Sequence, residues 1–313
     1  LCGIAGVIYR NPTHHSELGS DLLALIQPLE SRGPDSCGVA LYGNEAAPGQ
    51  IKLMLRGSES WSQVSQWLEQ FTEVVDTAAD PGGQRFILRL DVDRPFDIRQ
   101  FKQALHQQFP SLHLSSIGQK LEIYKGVGAV SFLSRQYGLD GFSGSHGIAH
   151  TRMATESVVD TDHSHPFTTS YDLSIVHNGQ ISNYYKLRFQ LERAGMVFET
   201  NNDSEAIAHY IHYQLLQGEP LETALEKVLS AIDGTYTFLV ATADKVGLVR
   251  DKFAAKPAVI YESDEMVAIA SEYRSLLNLP GFNPEAGIRE PDASEVNVWS
   301  VATASRELQL TAS

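Results

Sequence analysis

The run Cys2-Gly3-Ile4-Ala5-Gly6-Val7-Ile8-Tyr9 begins one residue into the chain and sets the tightest limit on how it can fold. It is a β-forming run with a small thiol at its head, and its ordinary reading is a buried cysteine opening a core strand. Gly3 and Gly6 would let another backbone or a ligand come close. A thiol attacks only as thiolate, and an ordinary cysteine has a pKa of roughly 8.5. If the mature chain begins at Cys2, a free α-amino group sits on the same residue. Its pKa of roughly 7.7–8.0 leaves much of it neutral near pH 7.5, able to act as base to its own side chain. Leu1 stands ahead of Cys2 and would cap that amine as a peptide. It is therefore expected to be absent from an active form, either as a literal reading of an alternative start codon or as a short cleaved propeptide.

The chain has 313 residues, 42% of them hydrophobic, enough for one large domain or two smaller ones. Twenty-four basic residues against 38 acidic ones give a net charge of -14, which disfavours nucleic acid and anionic lipid as partners. The two cysteines, Cys2 and Cys37, form no disulfide framework, although a bridge between them stays open at this level. No apolar run approaches the roughly 20 residues that span a bilayer, and no signal peptide is visible. The expectation is a soluble cytoplasmic protein that binds neither membrane nor nucleic acid.

Along the chain, a helix is expected from Leu18 to Leu29 with Ser20 as its N-cap, followed by a turn and a strand in SRGPDSCGVALY. Residues 44–49 are small and polar, a boundary signal. Beyond them IKLMLR, WSQVSQWLEQF, FTEVVDT, RFILRLDV, PFDIRQFKQALHQQF and KLEIYK read as β-α-β-β-α-β, the order of a ferredoxin-like unit. This predicts an inserted α/β subdomain at 51–124, with 1–50 and 125–313 forming the main domain. SLHLSSI is an extra strand with no place in that scheme. From Gly144 onward, seven strand signals (GIAHTRM, LSIVHNG, TYTFLVAT, VGLVRD, PAVIY, MVAIAS, VNVWSV) alternate with helices at 183–194, 204–217 and 220–232. Many strands with few helices predict an α+β fold of sheets covered by helices.

Four short segments carry the chemistry. They are Cys2-Gly3-Ile4-Ala5-Gly6, Arg32-Gly33-Pro34-Asp35-Ser36-Cys37-Gly38, His150-Thr151-Arg152-Met153-Ala154-Thr155, and Val176-His177-Asn178-Gly179 with the later Asn202-Asp203-Ser204-Glu205. Read singly, each has a plain structural explanation. Asn178-Gly179 is a type I′ hairpin dipeptide, Asp203 and Ser204 are helix N-caps, and Arg152 is a surface ion-pair residue. His163 and His165 invite a metal, but no further Cys or His completes a zinc-like spacing. His14-His15 and His209-His212 read as surface or helix-face histidines.

Read together, in that order, the segments resemble the class II glutamine amidotransferases, the N-terminal-nucleophile (Ntn) family. The likeness covers about 1–50 and 140–280. HTRMATES, VHNGQISN, NNDSEAIA and SEYRSLLNLPGF are most similar to the stand-alone glutaminase subunit of glutamate synthase-like complexes, including N-methylglutamate synthase. The resemblance implies a four-layer αββα sandwich. It implies that Cys2 attacks the carboxamide of L-glutamine while Asn178 and Gly179 donate to the oxyanion. Arg152 and Thr155 would hold the α-carboxylate and Asp203 the α-amino group, with Arg32 and His165 ordering nearby loops. It implies no cofactor or metal in this chain. FMN and an iron–sulfur cluster would sit on a flavin-dependent synthase partner in a hetero-oligomer serving nitrogen metabolism. Met153 stands where several branches of the family carry an aromatic and Glu156 where the glucosamine-phosphate synthase branch has a histidine, and both departures argue against that branch.

Beyond about residue 285 the sequence is too short for a synthase domain, so acceptor chemistry is expected on another chain. Two other functions fit the same residues: a stand-alone γ-glutamyl amidohydrolase, or a silent regulatory subunit if Leu1 stays attached. The insert has no catalytic signature.

Overall fold

The computed structural model describes residues 2–90, 96–154, 159–161 and 163–301. Strand β1 (Gly3–Tyr9) leads into helix α1 (Leu18–Ile26) and strand β2 (Ser36–Tyr42). The insert follows as β3 (Gln50–Arg56), α2 (Trp61–Leu68), β4 (Val74–Asp80), β5 (Gly83–Arg89), α3 (Ile98–Gln108) and β6 (His113–Gly118). The chain returns through β7 (Leu121–Val127), α4 (Val130–Tyr137), β8 (His146–Arg152), β9 (Phe167–Ser170) and β10 (Leu173–Ile181). Helices α5 (Tyr184–Arg193), α6 (Asp203–Leu216) and α7 (Leu221–Ala231) come next. Strands β11 (Gly234–Ala241), β12 (Lys245–Arg250), β13 (Val259–Glu262) and β14 (Met266–Ala270), the turn α8 (Tyr273–Leu276), and strands β15 (Gly287–Arg289) and β16 (Val296–Ser300) complete it.

Two sheets carry the body, in the orders β15-β13-β14-β1-β8-β2-β7 and β16-β12-β11-β10-β9. Alternation along the strands builds three packed interfaces between four layers. On β1, Ala5, Val7 and Tyr9 meet Leu18, Leu22 and Leu25 of α1. The opposite-facing Ile4 and Ile8 meet Val176, Leu239 and Leu248 of the other sheet. Beyond that second sheet, Ile175, Phe238 and Val240 pack on Ile207, Ile211 and Leu225 of α6 and α7. This is the αββα sandwich, with β1 fully buried at its centre. Both cysteines are free.

The insert pairs its strands as β4-β5-β3-β6, all antiparallel, with α2 and α3 on one face. That is the ferredoxin-like arrangement, but its last strand differs from expectation. SLHLSSI supplies β6, whereas KLEIYK becomes β7, paired with β2 from Ser36↔Val127 to Tyr42↔Leu121 in the large sheet. Asp172 marks the crossing point: its carboxylate accepts the amides of Gln119, Lys120 and Leu121 at 2.8–2.9 Å. Asp172 lies some fifty residues away in sequence, so nothing local says which sheet each strand joins.

Two smaller expectations also change. The first helix starts at Leu18 rather than behind Ser20, whose hydroxyl donates to Glu17 O at 2.9 Å within the helix. Helix α4, in a stretch without clear periodicity, is stopped by Gly138 in the left-handed region at φ 64°. His209 and His212, expected at the surface or on a helix face, lie on helix α6 and are buried there.

Candidate active site

The site forms where the open ends of the two body sheets meet. Antiparallel pairing sets Gly3 beside Thr151 and Arg152 beside Ser36, so the heads of β1 and β2 flank the end of β8. The opposing sheet brings Asn178, whose Nδ2 donates to the Cys2 carbonyl at 3.1 Å. Arg32 Nε donates to the same carbonyl at 3.1 Å, and Arg32 is itself held by Glu272 at 2.7 Å. The backbone of Cys2 is thus clamped between β10 of the opposing sheet and the loop that precedes β2. Its thiol faces the Met153 carbonyl at 4.0 Å and remains partly exposed.

The Arg32–Gly38 segment holds the neighbouring wall. A Cβ on Gly33 would stand 2.5 Å from the Arg152 carbonyl carbon, so only glycine permits this approach. Asp35 then accepts the Ala154 amide at 2.8 Å and donates its own amide to Arg152 O at 3.1 Å. Asn178-Gly179 is not a hairpin turn. Both residues lie inside β10, paired with Thr237 and Tyr236 of β11. Gly179 has φ +139°, and a Cβ there would lie 2.0 Å from Thr235 O.

The helix caps are also redistributed. Asn202 is the N-cap of α6, accepting the Ser204 amide at 2.9 Å. Buried Glu205 accepts the amides of Glu199 and Thr200 at 2.7 Å each and fixes the turn before it. Relieved of capping, Asp203 accepts the Ile181 amide at 3.1 Å and faces a cleft.

That cleft has a volume of about 660 Å³ and is lined by Cys2, Arg152, Gly179, Tyr184 and Asp203, among others. It is of the size that small-molecule sites occupy. Its walls carry a nearly buried guanidinium and a carboxylate, a pairing that matches a zwitterion. Beneath it lie His150, His165 and His177. Burial lowers the pKa of all three, that of His150 to about 3, so they are neutral at pH 7. Among the described residues, no group of three or more His, Cys, Asp or Glu is placed to hold a metal.

Five of the residues read from the sequence therefore meet at one place: Cys2, Arg152, Asn178, Gly179 and Asp203. Thr155 and Leu1 lie outside the described residues. Sequence reasoning assigned no role to Tyr184, His177 or Glu272, and gave Ser204 only that of a helix N-cap, a place Asn202 takes instead. All four fall within or beside the quoted motifs, and only their contacts single them out.

The fold and this convergence define a class II, Ntn-type glutamine amidotransferase, and the chain belongs to that family. The glutamine amidotransferase domain profile matches residues 150–278. The glutamine amidotransferase-like protein GlxB of Rhizobium meliloti is 37% identical over 300 residues, 96% of this chain and 98% of that one. Glutamine–fructose-6-phosphate aminotransferase of Shewanella oneidensis is 33% identical over 177 residues, 56% of this chain and 29% of its own length. Among solved structures, glutamine phosphoribosylpyrophosphate amidotransferase from B. subtilis shares the fold with TM-score 0.60 at 19% identity. That match covers 95% of this chain and 47% of the other.

Proposed function

We propose that this chain is the glutaminase component of a two-component amidotransferase. The observation that carries the reading is the meeting of Cys2, the Asn178-Gly179 pair, Arg152 and Asp203 in one cleft, drawn from both sheets and a helix start. Arg152 takes the α-carboxylate of L-glutamine and Asp203 its α-ammonium, with Thr155 as a second carboxylate ligand. Cys2 Sγ attacks the side-chain carboxamide carbon. One Asn178 amide hydrogen already serves the Cys2 carbonyl; the other, with the Gly179 N–H, receives the oxyanion. The Cys2 α-amine accepts the thiol proton and passes it to the departing nitrogen, so the C–N bond breaks and ammonia leaves. Water, activated by the same amine, hydrolyses the γ-glutamyl thioester to glutamate and restores the thiol. This chemistry needs Leu1 removed.

Ammonia then passes to a synthase subunit carrying FMN and an iron–sulfur cluster, which makes glutamate or N-methylglutamate. The likeness to the glutamine amidotransferase-like protein GlxB, over 96% of this chain and 98% of that one, supports the glutamine amidotransferase part of this reading. Two free thiols favour a reducing, cytoplasmic setting. No helix among the described residues is long and apolar enough to cross a membrane.

The test is treatment of protein purified from its source with 6-diazo-5-oxo-L-norleucine, followed by intact-mass and peptide analysis. The expected result is an N-terminus at Cys2 carrying one adduct, and co-purification of a flavoprotein. Selective labelling elsewhere, or none, would end the glutaminase reading.

Two substitutions separate binding from chemistry. Asn178→Ala is expected to lower kcat by about 10²–10³, the usual cost of one oxyanion donor, with little change in KM. Arg152→Lys keeps the charge but loses the planar fork, so KM for glutamine should rise about tenfold or more while kcat changes less. Steady-state glutamine hydrolysis checks both.

A further inference from the structure

Ser204 is fully buried in the first turn of α6, directly beneath the cleft. Its Oγ lies 2.7 Å from His165 Nε2, 2.9 Å from His177 Nδ1 and 3.5 Å from Asp203 Oδ1. The two rings come from separate segments, the loop before β9 and the middle of β10, and converge on this one hydroxyl.

The proton positions follow from what each nitrogen faces. His150 Nε2 lies 3.0 Å from the His177 carbonyl, which can only accept, so His150 carries its proton there. His165 Nδ1 and His177 Nε2 are buried with no hydrogen-bond partner among the described residues. Burying an N–H without an acceptor is costly, so neutral His165 and His177 place their protons on the nitrogens that face Ser204. Burial keeps both rings neutral. Two N–H groups then occupy both lone pairs of the Ser204 oxygen. Its single O–H has one remaining acceptor among these groups, Asp203 Oδ1. With Ile181 N donating to Oδ2, each oxygen of the carboxylate is tethered.

Resting on the glutaminase reading above, we propose that Ser204 is a positioning residue that aims the Asp203 carboxylate into the cleft. It thereby sets the preference for substrates bearing an α-ammonium group. Without the hydroxyl, the His177 Nδ1 proton faces Asp203 Oδ1 directly, now 3.7 Å away, and draws the carboxylate inward, off the substrate.

The test compares L-glutamine with glutaramate, the same amide without the α-amino group, on the mature chain. Ser204→Ala is expected to lower kcat/KM for glutamine about tenfold through KM, the scale of one hydrogen bond to a charged group. Glutaramate turnover should stay unchanged. Ser204→Cys, which keeps the volume and a weak donor, should fall between. Adding Ser204→Ala to Asp203→Asn should cost nothing more, because the two act through one carboxylate. An equal loss on both substrates, which leaves the glutamine-to-glutaramate ratio unchanged, would reduce Ser204 to a structural role, and no loss on either substrate would remove it altogether. If the unaltered chain fails to hydrolyse glutamine, the glutaminase reading itself falls.

Discussion

Cys2→Ala is expected to cut glutamine hydrolysis by a factor on the order of 10⁶, the scale of losing a catalytic nucleophile outright. Thermal stability should hardly move. The contacts that fix Cys2 belong to its backbone carbonyl, held by Asn178 and Arg32, and they survive the substitution. The thiol itself touches little beyond the Met153 carbonyl at 4.0 Å. The remaining thiol cannot take over: Cys37 is buried, and burial pushes its pKa up to about 12. Hydrolysis assays, with thermal melts on the same samples, check the prediction. Retained turnover in Cys2→Ala would mean that another residue does the chemistry.

The second large effect concerns the joint between the insert and the body. Lys52 of β3 is buried, and its ammonium donates to Glu122 at 2.8 Å, Lys120 O at 2.9 Å and Asn44 O at 3.0 Å. Glu122, also buried, lies on β7 in the large sheet. Lys52→Met strands that carboxylate, a loss of about 3–5 kcal/mol for breaking a buried pair. Arg85, 3.8 Å from Glu122, and the Tyr124 hydroxyl at 2.6 Å offset part of it. The low end is therefore expected, about 3 kcal/mol. Adding Glu122→Gln removes the stranded charge and should recover more than half of the loss. Urea unfolding of the two variants reads both effects. A single variant as stable as the unaltered chain would show that the joint does not depend on this pair.

The candidate site was legible because the chemistry proposed for it demands particular residue types. A thiol at the head of a β-run, an Asn-Gly pair, an arginine and an aspartate each have few substitutes, and their order along the chain is specific. The sandwich was legible from strand density and the resemblance together. The insert's two strand assignments were not, since HLSSIG and KLEIYK carry equivalent local patterns. Asp172, capping three amides at the crossing, settles the choice from outside the segment. The Asn178-Gly179 dipeptide misled for a related reason. Its turn propensity is local, whereas the cross-sheet pull of Cys2 and the register with β11 are not.

By itself, then, the sequence determined the candidate reacting groups and the class of fold, because residue chemistry and strand periodicity are properties of the chain taken in order. The tertiary structure alone decided how those groups face one another: the Cys2 carbonyl clamped between a strand and a distant loop, Asn202 taking over the cap from Asp203, and Ser204 gathering two histidines beneath the cleft. These contacts join residues far apart in the chain. Their geometry follows from sheet packing and from the need to pair every buried N–H, neither of which a local pattern encodes.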